Sequence, residues 1–484
     1  MISLHSLLRF PIPNLPLEMS KYQEAKLEAD NSLFIGLLIF MVWLPMPLGS
    51  NHPWAWAIME VWVFILSFIW LSKFLQGQVR ITPVFKKAKW ILILWLLWLI
   101  YITFQCIPLP YSWVTWMSPE AASFHIPINS SHKISLSVDP HATFVSLLKS
   151  ICYVLLFMLT LLLINRRRRL RWFVYAIIFS GLFQAIYGSF MTLSGLEYGF
   201  FHQKTTGMGV ATGTFVNRNH LAGYLEMCLA VGIGLLIAQL GNSKLSNWRQ
   251  RLRSLIDWLL SGKMRLRLYL VMMVIALVLT HSRMGNTAFF VSLMIAGCIG
   301  LILSRHATRA TVFLLTSLII IDILIVGTWF GIDKVAHRIG QTTFATETRD
   351  EVDIDVFPYW RDYLWTGSGL GSFYTVFPRY QGQDVGGYYD HAHNDYLEFG
   401  AETGIIGFFL VGSCVIFTLW VALLAQYRRR DPLYRGIAFS ATMGIIALLI
   451  HSIVDFNLQI PANAATFMVI LALAWIACFL PSSK

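Results

Sequence analysis

Two histidines and an Asn-Asp pair stand near the end of a long polar segment, just before the chain returns to an apolar run. They belong to the stretch His391-Ala-His-Asn-Asp-Tyr-Leu-Glu398, and the polar segment, residues 331–403, holds about half of the 25 acidic residues. Imidazole is the side chain best suited to take or give a proton near neutral pH. Titratable groups beside a bilayer are costly and tend to mark function. We therefore predict that this segment carries the active site.

The residues after the histidines have the pattern of a helix start. Asp395 followed by Glu398 resembles a capping box that opens a helix running toward residue 425. His393 then lies just ahead of a helix N-terminus, whose partial positive charge disfavours imidazolium and favours nearby anions. A neutral histidine in that position suits a general base that acts on a phosphate-bearing substrate, so we predict that His393 is the base.

Further polar residues stand at helix ends that we predict to share one membrane face with His393. Arg218 closes the motif Thr212-Gly-Thr-Phe-Val-Asn-Arg218, Arg283 lies in Ser282-Arg-Met-Gly285, and Asp455 follows His451 by one turn. A guanidinium fork suits paired anionic oxygens such as those of a phosphate or pyrophosphate. For a single arginine, an interfacial snorkelling role is an equally good interpretation.

The elements that must position these residues are membrane helices. Hydrophobic residues make up 56% of the 484 and charged residues 13%, and about 20 apolar residues suffice to cross a bilayer. Twelve apolar runs qualify: 32–48, 53–77, 90–108, 143–165, 172–195, 219–240, 268–283, 284–304, 311–330, 404–425, 434–456 and 463–480. The prediction is an all-α integral membrane protein with about 12 transmembrane helices. Helices 1 to 9 fall in 1–330, a partly helical periplasmic loop in 331–403, and helices 10 to 12 in 404–484.

The basic residues predict the orientation. With both termini in the cytoplasm, the cytoplasmic segments collect most of the 37 lysines and arginines, as the positive-inside rule requires. The formal net charge of +12 is thus mainly a topology signal, and its scatter between helices argues against nucleic-acid binding. The polar residues 1–31 contain no secretory signal, so the first helix is expected to act as an uncleaved insertion signal. The six cysteines lie in or beside apolar runs and predict neither a disulfide framework nor a metal site.

Several motifs resemble those of the O-antigen ligase and O-antigen polymerase superfamily. His393-Asn394, nine residues, then Gly404 and Gly407 is similar to its signature. Similar blocks of that family are Gly213-Thr-Phe-Val-Asn-Arg-Asn-His-Leu-Ala222, the Ser282-Arg283 turn, His451-Ser-Ile-Val-Asp-Phe-Asn-Leu458 and, with departures, the stretch from Arg349 to Phe373. Within that last stretch, Gly367-Ser-Gly-Leu-Gly371 lacks the spacing of a phosphate loop and is interpreted as a turn.

The resemblance implies a fold of the GT-C glycosyltransferase type and a metal-independent, cofactor-free enzyme of the bacterial inner membrane. Such an enzyme transfers a glycan from undecaprenyl pyrophosphate, on the periplasmic side, to an acceptor hydroxyl with inversion. The catalytic residues would be His393 as base, Arg283 and Arg218 on the pyrophosphate, and Asp455 as an orienting group. The candidate substrate-binding residues are Asn219, Asn394, Arg349, His451 and Glu226.

The acceptor and one other class of function stay open. A ligase, a polysaccharide polymerase and a protein O-oligosaccharyltransferase share the donor and differ in the acceptor, which is lipid A core, a growing glycan or a protein. A polysaccharide flippase or transporter is the alternative from another class. A transporter typically has paired halves with interrupted helices and charge near the bilayer midplane, whereas the polar residues here gather at one face. Apart from the donor, the acceptor and membrane lipids, no partner is predicted.

Overall fold

A computed structural model describes residues 29–125, 133–200, 203–205, 207–239, 262–303, 316–317, 348–383 and 387–481. Within these ranges the regular secondary structure is helical apart from one two-stranded sheet. The helices are α1 Asn31–Trp43, α2 Pro53–Leu75, α3 Pro83–Lys87, α4 Lys89–Cys106, α5 Tyr111–Met117, α6 Pro119–Phe124, α7 Pro140–Leu163, α8 Arg167–Leu193, α9 Arg218–Ala238, α10 Gly262–Leu279, α11 Arg283–Leu303, α12 Thr348–Asp362, α13 Phe373–Val376, α14 Asp395–Arg428, α15 Pro432–His451 and α16 Pro461–Phe479. The strands β1 Leu109–Pro110 and β2 Lys133–Ile134 pair antiparallel, and 3-10 turns cover Leu48–Ser50, Phe377–Arg379 and Asn457–Gln459.

Nine of these helices are long and apolar enough to cross a membrane, and each coincides with one of the predicted runs. They are α2, α4, α7, α8, α9, α11, α14, α15 and α16. The prediction of an all-α integral membrane protein is therefore confirmed for the part of the chain that the structure describes.

The other three predicted spans are not among these nine helices. The run at 32–48 is a helix of only 13 residues, Asn31–Trp43, because Pro45 and Pro47 follow directly and cannot continue it. The run at 268–283 lies in α10, whose 18 residues begin with Lys263, Arg265 and Arg267, so its apolar part is short. Neither helix is long and apolar enough over the described residues to be among the nine spans. The run at 311–330 lies outside the described residues except for 316–317.

The centre of the bundle is formed by α9, α15 and α16, the most buried of the nine spans. Close approach of α9 and α15 depends on glycine: a Cβ on Gly234 would collide with the carbonyl of Gly436, and a Cβ on Gly436 with that of Gly234. Ser440 in α15 also donates to the carbonyl of Val231 in α9, at 3.3 Å. Small residues of this kind let membrane helices pack backbone to backbone.

A second hydrophobic core caps one end of the bundle. It joins residues 109–138, which contain α5, α6 and the two strands, to residues 352–401. Tyr359, Phe373 and Phe377 are fully buried there, and the Tyr359 ring contacts that of Phe373 at 6.0 Å. We call this unit the cap. It receives the predicted turn at 367–371 and leads into α14.

The helix α14 is broken at Gly404, whose φ is +61°. The carbonyls ahead of the break accept bonds from other elements: that of Ala401 from Ser368 N, that of Glu402 from Gly369 N and that of Thr403 from the Tyr101 hydroxyl. A helix break near a bilayer is tolerated only where neighbours satisfy the freed backbone groups in this way. The segment 367–371 is therefore a turn seated on the break, as interpreted from the sequence.

Gly367 provides a test of this seating. Its φ is +67°, and a Cβ there would collide with the carbonyl of Glu402. We expect Gly367→Ala to destabilise the protein by roughly 2–5 kcal/mol, from backbone strain plus overpacking. Gly77 has φ +70° with open space around it, so Gly77→Ala should cost only about 1–2 kcal/mol. Thermal unfolding in detergent measures the stability of both variants. Equal losses of stability would contradict the close contact of the turn with the helix break.

Candidate active site

The histidine loop ends at the N-terminus of α14, which Asn394 caps. Its side-chain oxygen accepts from the backbone N of Tyr396 at 3.1 Å and of Leu397 at 3.3 Å. The capping box predicted with Asp395 as the cap is therefore wrong, since Asp395 is the first residue of the helix. Asn394 has the side chain that an N-cap prefers, which frees the Asp395 carboxylate for a contact with a distant segment.

Three buried acidic residues, spaced three and four apart, follow on α14: Asp395, Glu398 and Glu402. Because this spacing places them on neighbouring turns of one face, each can bind a different part of the chain. Asp395 accepts from the Ser452 hydroxyl at 2.7 Å and from Leu458 N at 3.1 Å. It thereby fixes the loop between α15 and α16 to the start of α14.

Glu398 and Glu402 fix the other two loops. Glu398 accepts from His391 Nδ1 at 2.7 Å and from Ala392 N at 2.8 Å, which holds the histidine loop. Glu402 accepts from Phe373 N at 2.9 Å, which holds the start of α13 in the cap. The two turns that precede the break at Gly404 thus gather three loops around one point.

Asp455 is the centre of a cluster of imidazoles. Its Oδ1 lies 3.8 Å from His393 Nδ1 and 3.9 Å from His220 Nε2, and its Oδ2 lies 4.0 Å from His451 Nε2. Burial raises the pKa of the Asp455 carboxyl, but the neighbouring His393, His220 and His451 outweigh it, so the pKa lies well below its usual range. Asp455 is therefore a buried carboxylate that stays ionised.

The ring of Phe456 keeps the histidines apart. It lies 4.5 Å from the His391 ring, 4.7 Å from that of His393 and 4.7 Å from that of His220, centroid to centroid. His391 stacks on it, whereas His393 and His220 approach edge-on. The aromatic ring thus separates the pair His391–Glu398 from the pair His393–Asp455.

His393 has the properties of a residue placed for chemistry. Its φ is +55°, in the left-handed region that a non-glycine residue rarely adopts. Such strain persists where the surrounding structure enforces it, and it clusters at active sites. Its side chain is 23% exposed, whereas the Asp455 side chain beside it is 1% exposed. One side of the imidazole therefore faces the buried carboxylate while part of the ring stays accessible.

Arg218 and Arg283 each begin a helix, α9 and α11, and both are exposed. Arg218 lies two residues before His220, which places it beside the Asp455 cluster. Arg283 lies two residues before Gly285, where a Cβ would meet Ala222 Cβ at 2.5 Å and Glu226 Oε1 at 3.2 Å. The two helices therefore meet within two turns of their N-termini, and their arginines stand at the same end of the bundle.

The predicted substrate-binding residues are placed in different ways. Asn219 follows Arg218 and is largely buried, and Asn394 serves as the N-cap described above. Glu226 and His451 are completely buried and bound to each other, with Glu226 Oε1 2.8 Å from His451 Nδ1. Arg349 lies in α12, but its side chain is outside the described residues.

Sequence reasoning missed three residues of the cluster: His220, Phe456 and Glu398 in its observed role. His220 and Phe456 stand inside motifs that were singled out, yet neither motif shows that the two rings meet across 236 positions. Glu398 was interpreted as the second half of a capping box. A carboxylate one turn into a membrane-entering helix is energetically costly without a partner. That cost was the feature of the sequence that indicated a buried contact for Glu398.

Residues 268–412 match a family model described as O-antigen ligase. The matched region runs from α10 past the break in α14, so it includes Arg283, Arg349 and the histidine loop, while Arg218 and Asp455 lie outside it. No curated protein matches the chain.

The pair His391–Glu398 makes the stability of the histidine loop dependent on pH. Burial lowers the pKa of His391, but attraction to Glu398, with the hydrogen bond between them, raises it above 6.5 overall. A raised folded-state pKa means that the pair stabilises fully below about pH 6.5 and loses its contribution as the pH rises through the raised value. We expect Glu398→Gln to lower the thermal midpoint more at about pH 6 than at about pH 9.

The control is His391→Gln, in which the added effect of Glu398→Gln should no longer vary with pH over the same range. A difference between wild type and Glu398→Gln that is constant, or that grows as the pH rises, would show that His391 does not form the proposed charged pair.

Proposed function

We propose, from the match of residues 268–412 to the O-antigen ligase family model, that this chain transfers a glycan between a lipid pyrophosphate and an acceptor hydroxyl. The donor is a glycan linked to undecaprenyl pyrophosphate in the bacterial inner membrane. The acceptor is lipid A core, a growing glycan or a protein. The placement of His393 between a buried, ionised Asp455 and the accessible surface is the observation that carries the proposal.

In the proposed step, His393 is the general base. With Nδ1 toward Asp455, the neutral imidazole keeps its Nε2 lone pair for the acceptor hydroxyl. The acceptor oxygen forms a bond to the anomeric carbon as that carbon's bond to the pyrophosphate oxygen breaks, and the hydroxyl proton passes to His393. Attack from the face opposite the leaving group inverts the anomeric centre. Asp455 stabilises the imidazolium that results, as an orienting carboxylate does in other histidine bases.

Arg218 and Arg283 would bind the departing pyrophosphate. Two guanidinium groups can pair with its oxygens and offset the charge that develops as the sugar–phosphate bond breaks. Both begin helices, where the partial positive charge of the helix end adds to theirs. In this proposal the arginines neutralise the leaving group without a metal ion, and the activated donor removes the need for a nucleotide.

The two ends of the bundle support a proposed orientation in the membrane. The histidine end holds the start of α14 and the end of α15. The opposite end holds Arg167 paired with Asp431, and Arg429, which donates to the carbonyls of Cys478 and Leu480. Basic residues favour the cytoplasmic side, so we place the site in the periplasm and both termini in the cytoplasm. The boundaries 1–330, 331–403 and 404–484 remain part of this proposal.

A transporter is the alternative from another class, and the His393–Asp455 pair favours the enzyme. Transport requires a polar site that changes its access, usually near the midplane. A strained histidine on an ionised carboxylate at one end of the bundle instead suits proton transfer. A ligase, a polymerase and a protein O-oligosaccharyltransferase are distinguished from one another by the acceptor.

The principal test compares the two histidines of the loop. We expect His393→Ala to lower the turnover of a purified lipid-linked donor by roughly 100- to 10,000-fold, the usual loss on removing a positioned base, while donor binding is retained. His391→Ala is the matched control, two residues away in the same loop, and it should keep measurable turnover. A reversed order, or a His393→Ala variant that loses donor binding instead of turnover, would contradict the role of His393.

The second test concerns the geometry of the pyrophosphate contact. Arg283→Lys should keep the charge yet lose most of the activity, because an ammonium group cannot reproduce a bidentate fork. Arg361 is a control in the cap, 77% exposed beside Asp362, where the same change to lysine should leave turnover unchanged. Full activity of Arg283→Lys in a transfer assay would identify Arg283 as an interfacial anchor.

A further inference from the structure

A second carboxylate–imidazole pair lies next to Asp455, at the oxygen that does not face His393. Glu226 in α9 and His451 at the end of α15 are both 0% exposed, and Glu226 Oε1 is 2.8 Å from His451 Nδ1. The other nitrogen of that ring, Nε2, points to Asp455 Oδ2 at 4.0 Å. Beyond Asp455 comes His393 at 3.8 Å. Carboxylate, imidazole, carboxylate and imidazole therefore alternate in one series of contacts, which we call the line.

A purely structural role explains this pair poorly. The helices α9 and α15 already pack backbone to backbone at Gly234 and Gly436. Taking a carboxylate and an imidazole out of water is expensive, and an apolar pair of similar volume often stabilises a protein as well or better. The pair is therefore a cost to the fold at that position, and charged groups that persist at such a cost tend to serve the active site.

We propose that Glu226 and His451 are positioning residues, which fix the orientation of Asp455 and through it that of His393. This inference rests on the proposed function. Because both side chains are completely buried, they act on the reaction through Asp455 and do not contact the substrate, a role different from the substrate binding predicted from the sequence.

The distances between these groups indicate how Glu226 and His451 orient Asp455. An ionised carboxylate only accepts hydrogen bonds, so His451 Nδ1–H donates to Glu226. With a second carboxylate facing Nε2, the ring is stabilised with a proton on each nitrogen. The resulting imidazolium attracts Asp455 Oδ2 across 4.0 Å, while Oδ1 accepts from Phe456 N at 2.9 Å and faces His393 Nδ1. His393 is then held with Nδ1 inward and Nε2 free for the acceptor proton.

Two substitutions separate this role from a structural tie between α9 and α15. Glu226→Gln keeps an acceptor for His451 but removes the charge. His451→Asn can still donate to Glu226 from the position of Nδ1, but it lacks the Nε2 atom that faces Asp455. We expect each to lower kcat for glycan transfer by roughly 10- to 100-fold, as loss of outer orienting partners does, with KM for the lipid-linked donor unchanged.

The controls are buried hydrogen bonds of the same two helices that lie outside the line. Tyr224→Phe in α9 removes the bond of the Tyr224 hydroxyl to Ser180 in α8, and Thr442→Val in α15 removes the bond of Gln426 in α14 to Thr442. Both variants should retain the wild-type kcat. If they lower kcat as much as Glu226→Gln does at equal loss of thermal midpoint, the pair is structural and the inference is wrong.

The kcat of a double variant tests whether Glu226 and His451 act through each other, which a purely structural role does not predict. If Glu226 acts through His451, the double variant of Glu226→Gln with His451→Asn should have the kcat of the slower single variant. Multiplication of the two losses would overturn the inference, as would a wild-type kcat in His451→Asn. An inactive wild-type protein with well-folded variants would instead refute the proposed function.

Discussion

The arrangement of this site depends on the cost of burying three carboxylates in the first turns of α14. In a water-poor interior each must find donors or a counter-charge. Asp395, Glu398 and Glu402 meet that requirement through three different segments, the loop after α15, the histidine loop and the cap. None of these segments can shift without depriving a buried carboxyl group of its hydrogen-bond donors. The requirement for partners therefore makes the first turns of α14 the anchor of the proposed site.

The break at Gly404 makes this anchor possible. It ends the polar part of α14 where the apolar span begins, and it leaves carbonyls that the turn at 367–371 and Tyr101 satisfy. The glycines of that turn allow the backbone to approach the break closely. Cap and membrane bundle are thereby joined by backbone hydrogen bonds, which are less tolerant of displacement than side-chain contacts. Because His393 lies between these two units, its position is fixed by the same hydrogen bonds.

Asp455 provides the buried negative charge of the histidine cluster. A single carboxylate surrounded by the imidazoles of His220, His393 and His451 stays ionised although it is buried. Its charge can stabilise positive charge that forms on His393, and the two exposed arginines lie outside this buried shell. In the proposed function, the base His393 thus contacts a buried carboxylate, whereas Arg218 and Arg283, proposed to bind the anion, are exposed. Such a division suits a reaction that moves a proton and releases an anion in the same step.

The sequence alone determined the membrane class and nine of the spans, because hydropathy is a local property of the chain, and its motif spacing led to the candidate residues of the proposed site. It failed where local chemistry had two solutions: Asn394, not Asp395, became the cap, and prolines shortened the first helix. The pairing of Glu226 with His451 joins residues 225 positions apart. Only the tertiary structure could decide that contact, because a buried charge selects its partner by proximity in space, and no local pattern encodes it.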